Sequence, residues 1–284
     1  MKYNNDFVDE QYSSILEPNL FADTVIIPGI TYDNNFEGDV KSGLVHFYKE
    51  NTSGKQAPGK PAGDFEDENT GNELIDVRLN NAYRKSKKIY QVTANSCSYN
   101  KAEANLSLAV QENRDSKQAS ALACLVNEGT VATVAGETVS DKAVEARKQL
   151  RKEHAKPDIV FASVDAFAEM LKEAGSKFTP STNDRIITTG QVGQYLGMTW
   201  FEVDGFEGTA EYFAFDSDET AKEVNLDEID LVVYDHTTLK IADNLNMMRL
   251  KDSERFTGVL AQNEINSGFR VSNSKKVAVI KKTA

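Results

Sequence analysis

The stretch GLVHFYKENTSGKQAPGKPAGDFEDENTGNELIDVRL (residues 43–79) places a long polar segment between two segments rich in β-branched and aromatic residues. The flanks, within residues 38–50 and 72–80, predict two strands. Residues 50–71 between them contain four glycines, two prolines and few apolar side chains. Fixing the backbone of each loop residue costs about 1–2 kcal/mol, and so polar a loop recovers little of that by its own burial. The stretch therefore predicts an extended hairpin whose tip is either mobile or ordered by a partner surface.

The composition of the 284-residue chain is that of a globular protein, with 40% hydrophobic and 27% charged residues. Its formal net charge of −12 argues against binding nucleic acid over the whole surface. We expect Cys97 and Cys124 to be reduced thiols of a cytoplasmic protein, because they lack a CxxC spacing; a disulfide or a catalytic thiol is the less favoured alternative. No apolar run reaches the ~20 residues of a membrane-spanning helix, and residues 1–21 lack a signal-peptide core.

Residues 1–36 predict an irregular arm, because aromatic, acidic and amide residues mix there with little periodicity. Its strand-like VIIPGI segment stops at Pro28 and Gly29. An arm of this kind needs a surface to lie on, either its own body or a neighbouring molecule.

Apolar residues at helical spacing predict a long helix from about Tyr99 to Asn127, ended by Gly129. Both ends of this helix are apolar, whereas QENRDSKQ (residues 111–118) is polar on all sides. The pattern therefore predicts a helix that is exposed along part of its length.

Two shorter helices are predicted further along the chain. One begins near Ser140 as its N-cap and runs to about His154, with Val144 and Leu150 facing inward. The other follows the buried strand DIVFAS, begins at the N-cap Ser163 and ends at Gly175; its buried stripe contains Phe167, Met170, Leu171 and Ala174. Strand-like segments follow, from MTWFEVDGF to VAVIKK, and the chain is of the α+β class without the regular alternation of a doubly wound sheet.

No group of residues stands out as a catalytic or metal site. His236, beside Asp235, could belong to a triad, but no G-x-S-x-G elbow accompanies it, and a hydrogen-bonded histidine at a strand end is the favoured interpretation. His46, His154 and His236 share no metal-ligand spacing. Residues 216–227 partly match a calcium loop but have Ala221 where glycine is required. We therefore expect neither a metal nor a cofactor.

A cluster of basic residues in NNAYRKSKKIYQV has two interpretations, which stay open. The cluster could bind phosphate, or it could be a solvated strand edge protected by charge; its members are Arg84, Lys85, Lys87 and Lys88. Together with three residues of the polar loop, these are our candidates for contacts with neighbouring molecules: Lys55, Lys60 and Phe65.

The order of these parts resembles that of the major capsid proteins of tailed bacteriophages, which have the Hong Kong phage fold, also called the Johnson fold. PDIVFASVDAFAEMLKEAGSKFTPSTNDRIITTGQVGQYLGMTWFEV looks like the entry to their axial domain, and residues 231–282 look like their closing segment. The resemblance covers most of the chain from about residue 37. It implies five segments in this order: an N-terminal arm (residues 1–36), an extended E-loop (37–92), a peripheral domain (93–156) with a spine helix at about 100–127, an axial domain (157–250) and a return to the peripheral domain (251–284).

The resemblance implies a structural protein rather than an enzyme. Its copies would assemble as hexamers and pentamers into an icosahedral shell around double-stranded DNA, held without sequence specificity, with the E-loop ordered on the adjacent subunit. Scaffold, portal and decoration proteins would be further partners, no membrane would be involved, and the protein would be made in the host bacterial cytoplasm and located in the virion capsid. Two alternatives stay open: an encapsulin-like compartment shell that encloses enzymes, and a cytoplasmic α/β enzyme that uses His236 and nearby acids.

Overall fold

The structure is a computed structural model that describes residues 25–36, 43–50, 72–91, 100–132, 136, 138–177, 194–204, 206, 208–215 and 220–282. Its residues group into two compact units. The small unit contains Ala82–Ser116 and Leu245–Ile265, and the large unit contains Ala22–Asn81, Lys117–Asn244 and Asn266–Ala284.

The long helix that the apolar spacing predicts is helix α1, Lys101–Glu128. Its polar middle is exposed at Gln111, Arg114 and Ser116, as expected, but two other polar residues there are buried and hydrogen-bonded. Asn113 is 2% exposed and donates to Oδ1 of Asn263 at 2.6 Å within the small unit. Gln118 is 5% exposed and accepts from the backbone N–H of Val25 at 3.0 Å within the large unit. Partners distant in sequence thus satisfy amides that the local pattern assigns to water.

Gly129 does follow the last residue of α1, but not for the conformational reason that usually places glycine there. Its backbone lies outside the left-handed region. A Cβ atom at this position would stand 2.7 Å from the Leu125 carbonyl oxygen in the last turn of α1, 2.8 Å from Val277 Cγ1 and 2.9 Å from Val279 Cγ2. Gly129 is therefore required by the close approach of both the helix end and a neighbouring strand.

Helix α2, Val139–Lys152, has Thr138 as its N-cap instead of Ser140, since the Thr138 side chain accepts from the Asp141 N–H. Ser140 lies buried in the first turn, with its Oγ 3.0 Å from the Tyr195 hydroxyl oxygen. Leu150 faces inward as predicted, whereas Val144 is 45% exposed because the buried stripe runs through other positions of the helix. The inward stripe consists of Val139, Ser140, Ala143, Ala146 and Leu150.

Helix α3, Val164–Lys177, begins as predicted, because Ser163 Oγ accepts from the Ala166 N–H at 3.3 Å. Phe167, Met170 and Ala174 form its buried stripe, with Leu171 partly buried beside them. The helix continues past Gly175, where we expected it to end. The glycine-rich segment of residues 178–193 lies outside the described residues.

The large unit is built on a six-stranded sheet, whose strands along the chain are β4 Thr130–Val131, β5 Ile159–Ser163, β6 Gln194–Tyr195, β7 Met198–Val203, β10 Ile229–Tyr234 and β13 Val277–Lys281. Their order across the sheet is β4-β13-β10-β5-β7-β6. Strand β10 is antiparallel to β5 and β13, while β5 and β7 are parallel and so are β13 and β4. This mixture agrees with the predicted α+β class.

Helices α2 and α3 pack against this sheet and form the main core with it. Every residue of β5 and β10 is buried. Trp200, Tyr195 and Met198 close the core at the β6–β7 turn, where the Trp200 Nε1–H donates to the Tyr195 carbonyl oxygen at 3.1 Å.

The remaining strands form three smaller sheets. Strands β1 Leu44–Glu50 and β2 Asn72–Arg78 pair antiparallel as the base of the predicted hairpin, and β8 Thr209–Tyr212 pairs antiparallel with β9 Lys222–Asn225. Strands β3 Asn81–Tyr90, β11 Leu239–Asp252 and β12 Gly258–Val271 form a sheet in the order β11-β12-β3, which places the basic strand β3 at an edge.

Residues 25–36 of the predicted arm pack on the body of their own chain, which is one of the two alternatives that the sequence left open. Val25, Ile26 and Tyr32 are buried. The VIIPGI segment is a turn at Gly29 rather than a strand, and isolated bridges join Pro28 to Tyr32 and Asp33 to Lys240. Only residues 1–24 of the predicted arm lie outside the described residues, and the last dozen belong to the large unit.

Candidate assembly surfaces

The β1–β2 hairpin has one face buried in the large unit. Val45, Phe47, Ile75 and Val77 form a small core there with Ala242 of β11. The base of the hairpin is therefore fixed by its own chain, and period-two alternation along both strands turns the other face to solvent.

The solvent face of the hairpin carries a pair of apolar side chains. Tyr48 and Leu74 are direct cross-strand partners, and each is 53% exposed. On the same face His46 Nδ1 lies 2.6 Å from Oδ1 of its cross-strand partner Asp76. Adjacent exposed apolar residues of this kind can mark an interaction surface. The loop candidates Lys55, Lys60 and Phe65 lie outside the described residues.

Next to the hairpin base, the end of the arm is held by a buried ion pair. The Lys240 ammonium donates to Asp33 Oδ2, and it also lies 5.1 Å from the centre of the Phe47 ring. The Tyr234 hydroxyl donates to the Thr31 carbonyl oxygen at 2.7 Å. One lysine thus joins the arm, the hairpin and strand β11 within the large unit.

The basic cluster on β3 divides between two faces of its sheet. Lys85 and Lys87 both pair with Glu112 on α1. Burial alone would raise the Glu112 pKa, but hydrogen bonds from the two lysines outweigh it and lower that pKa. Arg84 and Lys88 are exposed on the opposite face. The four residues therefore do not form a single phosphate-binding patch.

The partners of these basic residues were not found from the sequence. Arg84 pairs with Glu264 on β12, which also lies near Arg249 of β11 in a shared groove. The alternation of odd and even positions along β3 was the available signal for the division into two faces. Glu112 and Glu264 are the partners because of the order of the strands and the position of α1, and neither can be deduced from the spacing of residues along the sequence.

His236 is a hydrogen-bonded histidine at a strand end, as the favoured interpretation predicts. Its Nδ1 lies 2.5 Å from Asp158 Oδ2, and its backbone N–H donates to Asp158 Oδ1 at 3.0 Å. Asp235 accepts from the N–H groups of Lys156 and Thr237 and from the Thr237 hydroxyl. Burial raises the Asp235 pKa, but these hydrogen bonds outweigh it and lower that pKa overall.

The side chains of Asp158, Asp235 and His236 lie close enough together to suggest a metal site, since their ligand atoms are within 4.8 Å of one another. All four carboxylate oxygens, however, accept hydrogen bonds: those of Asp158 pair with His236, and those of Asp235 with Lys156 and Thr237. The group, which we call the His236 joint, is thus a structural connection between β10 and the segment before β5.

Cys124 is a free, fully buried thiol. Burial raises its pKa well above the usual value, and the nearby Glu128 adds to that effect. A thiol of this kind is not a nucleophile at neutral pH, so the catalytic alternative fails for Cys124. Cys97 lies outside the described residues.

None of the described helices combines the length and the apolar character that a membrane span requires. No family model matches the chain. No curated protein matches it either.

Solved structures do match the chain over nearly its whole length. A structure titled Mycobacterium phage Che8 superposes with a TM-score of 0.65 at 17% identity, covering 97% of each chain. The capsid structure of the cyanophage P-SCSP1u gives 0.64 at 10% identity, covering 98% of this chain and 94% of the other. The capsid of Ralstonia phage GP4 gives 0.62 at 9% identity, covering 100% and 97%. The chain therefore has the fold of phage capsid proteins, the Johnson fold that the order of its segments predicts.

Proposed function

We propose that the chain is the major capsid protein of a tailed bacteriophage. Its copies assemble as hexamers and pentamers into an icosahedral shell that encloses a double-stranded DNA genome. The observation that carries the proposal is the agreement with phage capsid structures over nearly the full length of both chains, without a large insertion that would support another activity. The protein is structural, is made in the bacterial cytoplasm and resides in the virion.

Electron microscopy of the purified protein tests this proposal. We expect capsomers or closed particles under negative stain, with or without a scaffold protein. Double-stranded DNA inside particles isolated from infected cells supports the phage shell, whereas enclosed enzymes would identify an encapsulin-like compartment. A monomer at every concentration, even with scaffold present, would contradict both.

The same proposal assigns domains to the segments of the chain. The arm is residues 1–36, the E-loop 37–92, the peripheral domain 93–156 with 251–284, and the axial domain 157–250. One adjustment follows from strand pairing: β4 and β13 lie outside 157–250 but belong to the sheet of β5, β7 and β10, so we assign both strands to the axial domain.

The E-loop, with its candidates Lys55, Lys60 and Phe65, lies across the adjacent subunit in this proposal. The exposed Tyr48–Leu74 pair at its base supports a contact on that side. Deleting residues 52–70 should leave a folded, soluble body, because the small core under β1 and β2 is kept. The deletion should block or distort assembly, as seen by light scattering. Normal shells from the deleted protein would contradict this role.

A further inference from the structure

The sheet of the small unit has one face turned away from α1, and that face carries a surplus of positive charge. Arg84 and Lys88 lie on it, because they alternate with the two lysines that pair with α1. Arg249 of β11 joins this face through Gln262, and Glu264 of β12 is held there by Arg84. We call this the basic face and define it by Arg84, Lys88 and Arg249 with the carboxylate of Glu264.

The charges of the basic face are only partly compensated by its own residues. Arg84 Nε donates to Glu264 Oε1 at 2.9 Å, although the Arg84 side chain remains 71% exposed. Arg249 Nε donates to Gln262 Oε1 at 2.7 Å, and that acceptor is neutral. Within the described ranges no carboxylate lies within 4.0 Å of the Arg249 guanidinium. An open groove of about 180 Å³ runs between the two arginines, and its chemistry suits a carboxylate from outside.

The same chain carries a surface with the opposite surplus, on the outward side of strands β8 and β9. Glu211 and Glu223 are direct cross-strand partners, and both are exposed. Like charges placed directly opposite each other destabilise a strand pair. Among the residues described, neither carboxylate has a basic partner within 4.0 Å. This acidic pair therefore lacks the cation that would relieve its repulsion.

We propose that the basic face of one copy binds the β8–β9 ribbon of a second copy, with Arg249 and Lys88 opposite Glu211 and Glu223. The proposal rests on the proposed function and names a contact within the shell. The two surfaces lie at different places on one chain, so the contact is heterologous, and heterologous contacts close into rings when the rotation permits. A ring is the form that a hexamer or pentamer needs. Each exposed ion pair is weak and screened by salt, but closure of the ring repeats it several times.

Charge exchange tests the proposal. We expect Glu211→Lys with Glu223→Lys to lower the assembled fraction by at least about tenfold, and Lys88→Glu with Arg249→Glu to do the same. All four substitutions in one chain should restore assembly, because opposite charges then face each other again. The matched control exchanges the exposed pair Glu145 and Lys148 on α2, which lies on neither surface, and should assemble normally. Light scattering and negative-stain microscopy give the assembled fraction, and circular dichroism checks the fold.

Normal assembly by either double variant would overturn the proposal, and so would a folded fourfold variant that does not assemble. Basic-face variants that form normal shells but retain less DNA would show that the face binds nucleic acid instead. If a double variant does not fold, Arg249→Ala and Glu223→Gln replace it. As salt is added, the assembled fraction of the native protein should then fall more steeply than that of these neutral variants. An equal dependence of the assembled fraction on salt would overturn the proposal. Absence of particles from the native protein is a different result, since it contradicts the proposed function itself.

Discussion

The His236 joint and the basic face are both clusters of charged side chains, but they differ in how their groups are satisfied. In the joint, all four carboxylate oxygens of Asp158 and Asp235 accept hydrogen bonds from His236 or from the adjoining Lys156 and Thr237. On the basic face, the partner that Arg249 has among the described residues is a neutral amide. A cluster whose polar groups all have hydrogen-bond partners within the fold stabilises the folded chain, whereas a cluster with surplus charge is available to bind another molecule. Substitutions in the joint should thus reduce stability, and substitutions on the basic face should reduce assembly alone.

The largest loss of stability is expected where a buried charge loses its partner. Asp33→Ala leaves the Lys240 ammonium buried without a carboxylate, so we expect a loss of about 3 kcal/mol in the free energy of unfolding. Urea denaturation measures this loss. Adding Lys240→Met should recover most of it, because the unpaired charge is then removed. A loss below about 1 kcal/mol for the single variant would mean that water reaches Lys240.

A smaller loss is expected in the His236 joint. Asp235→Ala leaves two backbone N–H groups and the Thr237 hydroxyl without their acceptor, which should cost about 1–3 kcal/mol by urea denaturation. Glu145→Ala is the control, since this residue forms an exposed pair with Lys148 and should change stability by less than about 0.5 kcal/mol. Equal effects of the two substitutions would mean that the joint contributes no more to stability than a surface ion pair.

A gain in stability is expected at Glu128, the last residue of α1. Burial raises the pKa of this carboxyl, and the negative end of the helix dipole acts in the same direction. The folded chain therefore favours the protonated form of Glu128. The stability that this preference adds is complete below the pKa of Glu128 in the unfolded chain, and it is lost as pH rises through the higher pKa in the folded chain. Glu128→Gln keeps an acceptor for the Val271 N–H and should be more stable than the native protein at neutral pH.

The difference between Glu128→Gln and the native protein should shrink in acid, which urea denaturation at several pH values measures. A gain in stability that is the same at all pH values would exclude ionisation of Glu128 as its cause.

The smallest effect on stability is expected on the basic face. Arg249→Ala removes a single exposed hydrogen bond to Gln262, so the free energy of unfolding should change by less than about 0.5 kcal/mol. The assembled fraction should nevertheless fall. A loss of stability as large as that of Asp235→Ala would make Arg249 a structural residue and remove the contrast with the joint.

Elements with a strong internal period were predictable from the sequence. The stripe of Phe167, Met170 and Ala174 places α3, and the apolar run of β5 places a buried strand. The same reasoning failed where a distant segment supplied the partner. Asn113 and Gln118 look solvated locally, but they bond to residues 150 and 93 positions away.

On the candidate surfaces too, the sequence predicts features of a single strand but not those that depend on a second strand. Alternation along β3 separates Arg84 and Lys88 from Lys85 and Lys87, and that separation is visible in the sequence. The sequence does not show that Glu211 and Glu223 lie opposite each other, because this depends on the register between two strands. A shift of one residue would turn one of the two carboxylates to the other side.

Strand β13 has a consequence for how the chain is completed during translation. It lies between β4 and β10, although it is the last strand of the sheet to be synthesised. Until residues 277–281 leave the ribosome, β10 has an open edge and the cleft beside Gly129 has no valines to fill it. A nascent chain therefore cannot finish its largest sheet early. Copies cut short by premature termination would expose that edge to proteases and chaperones.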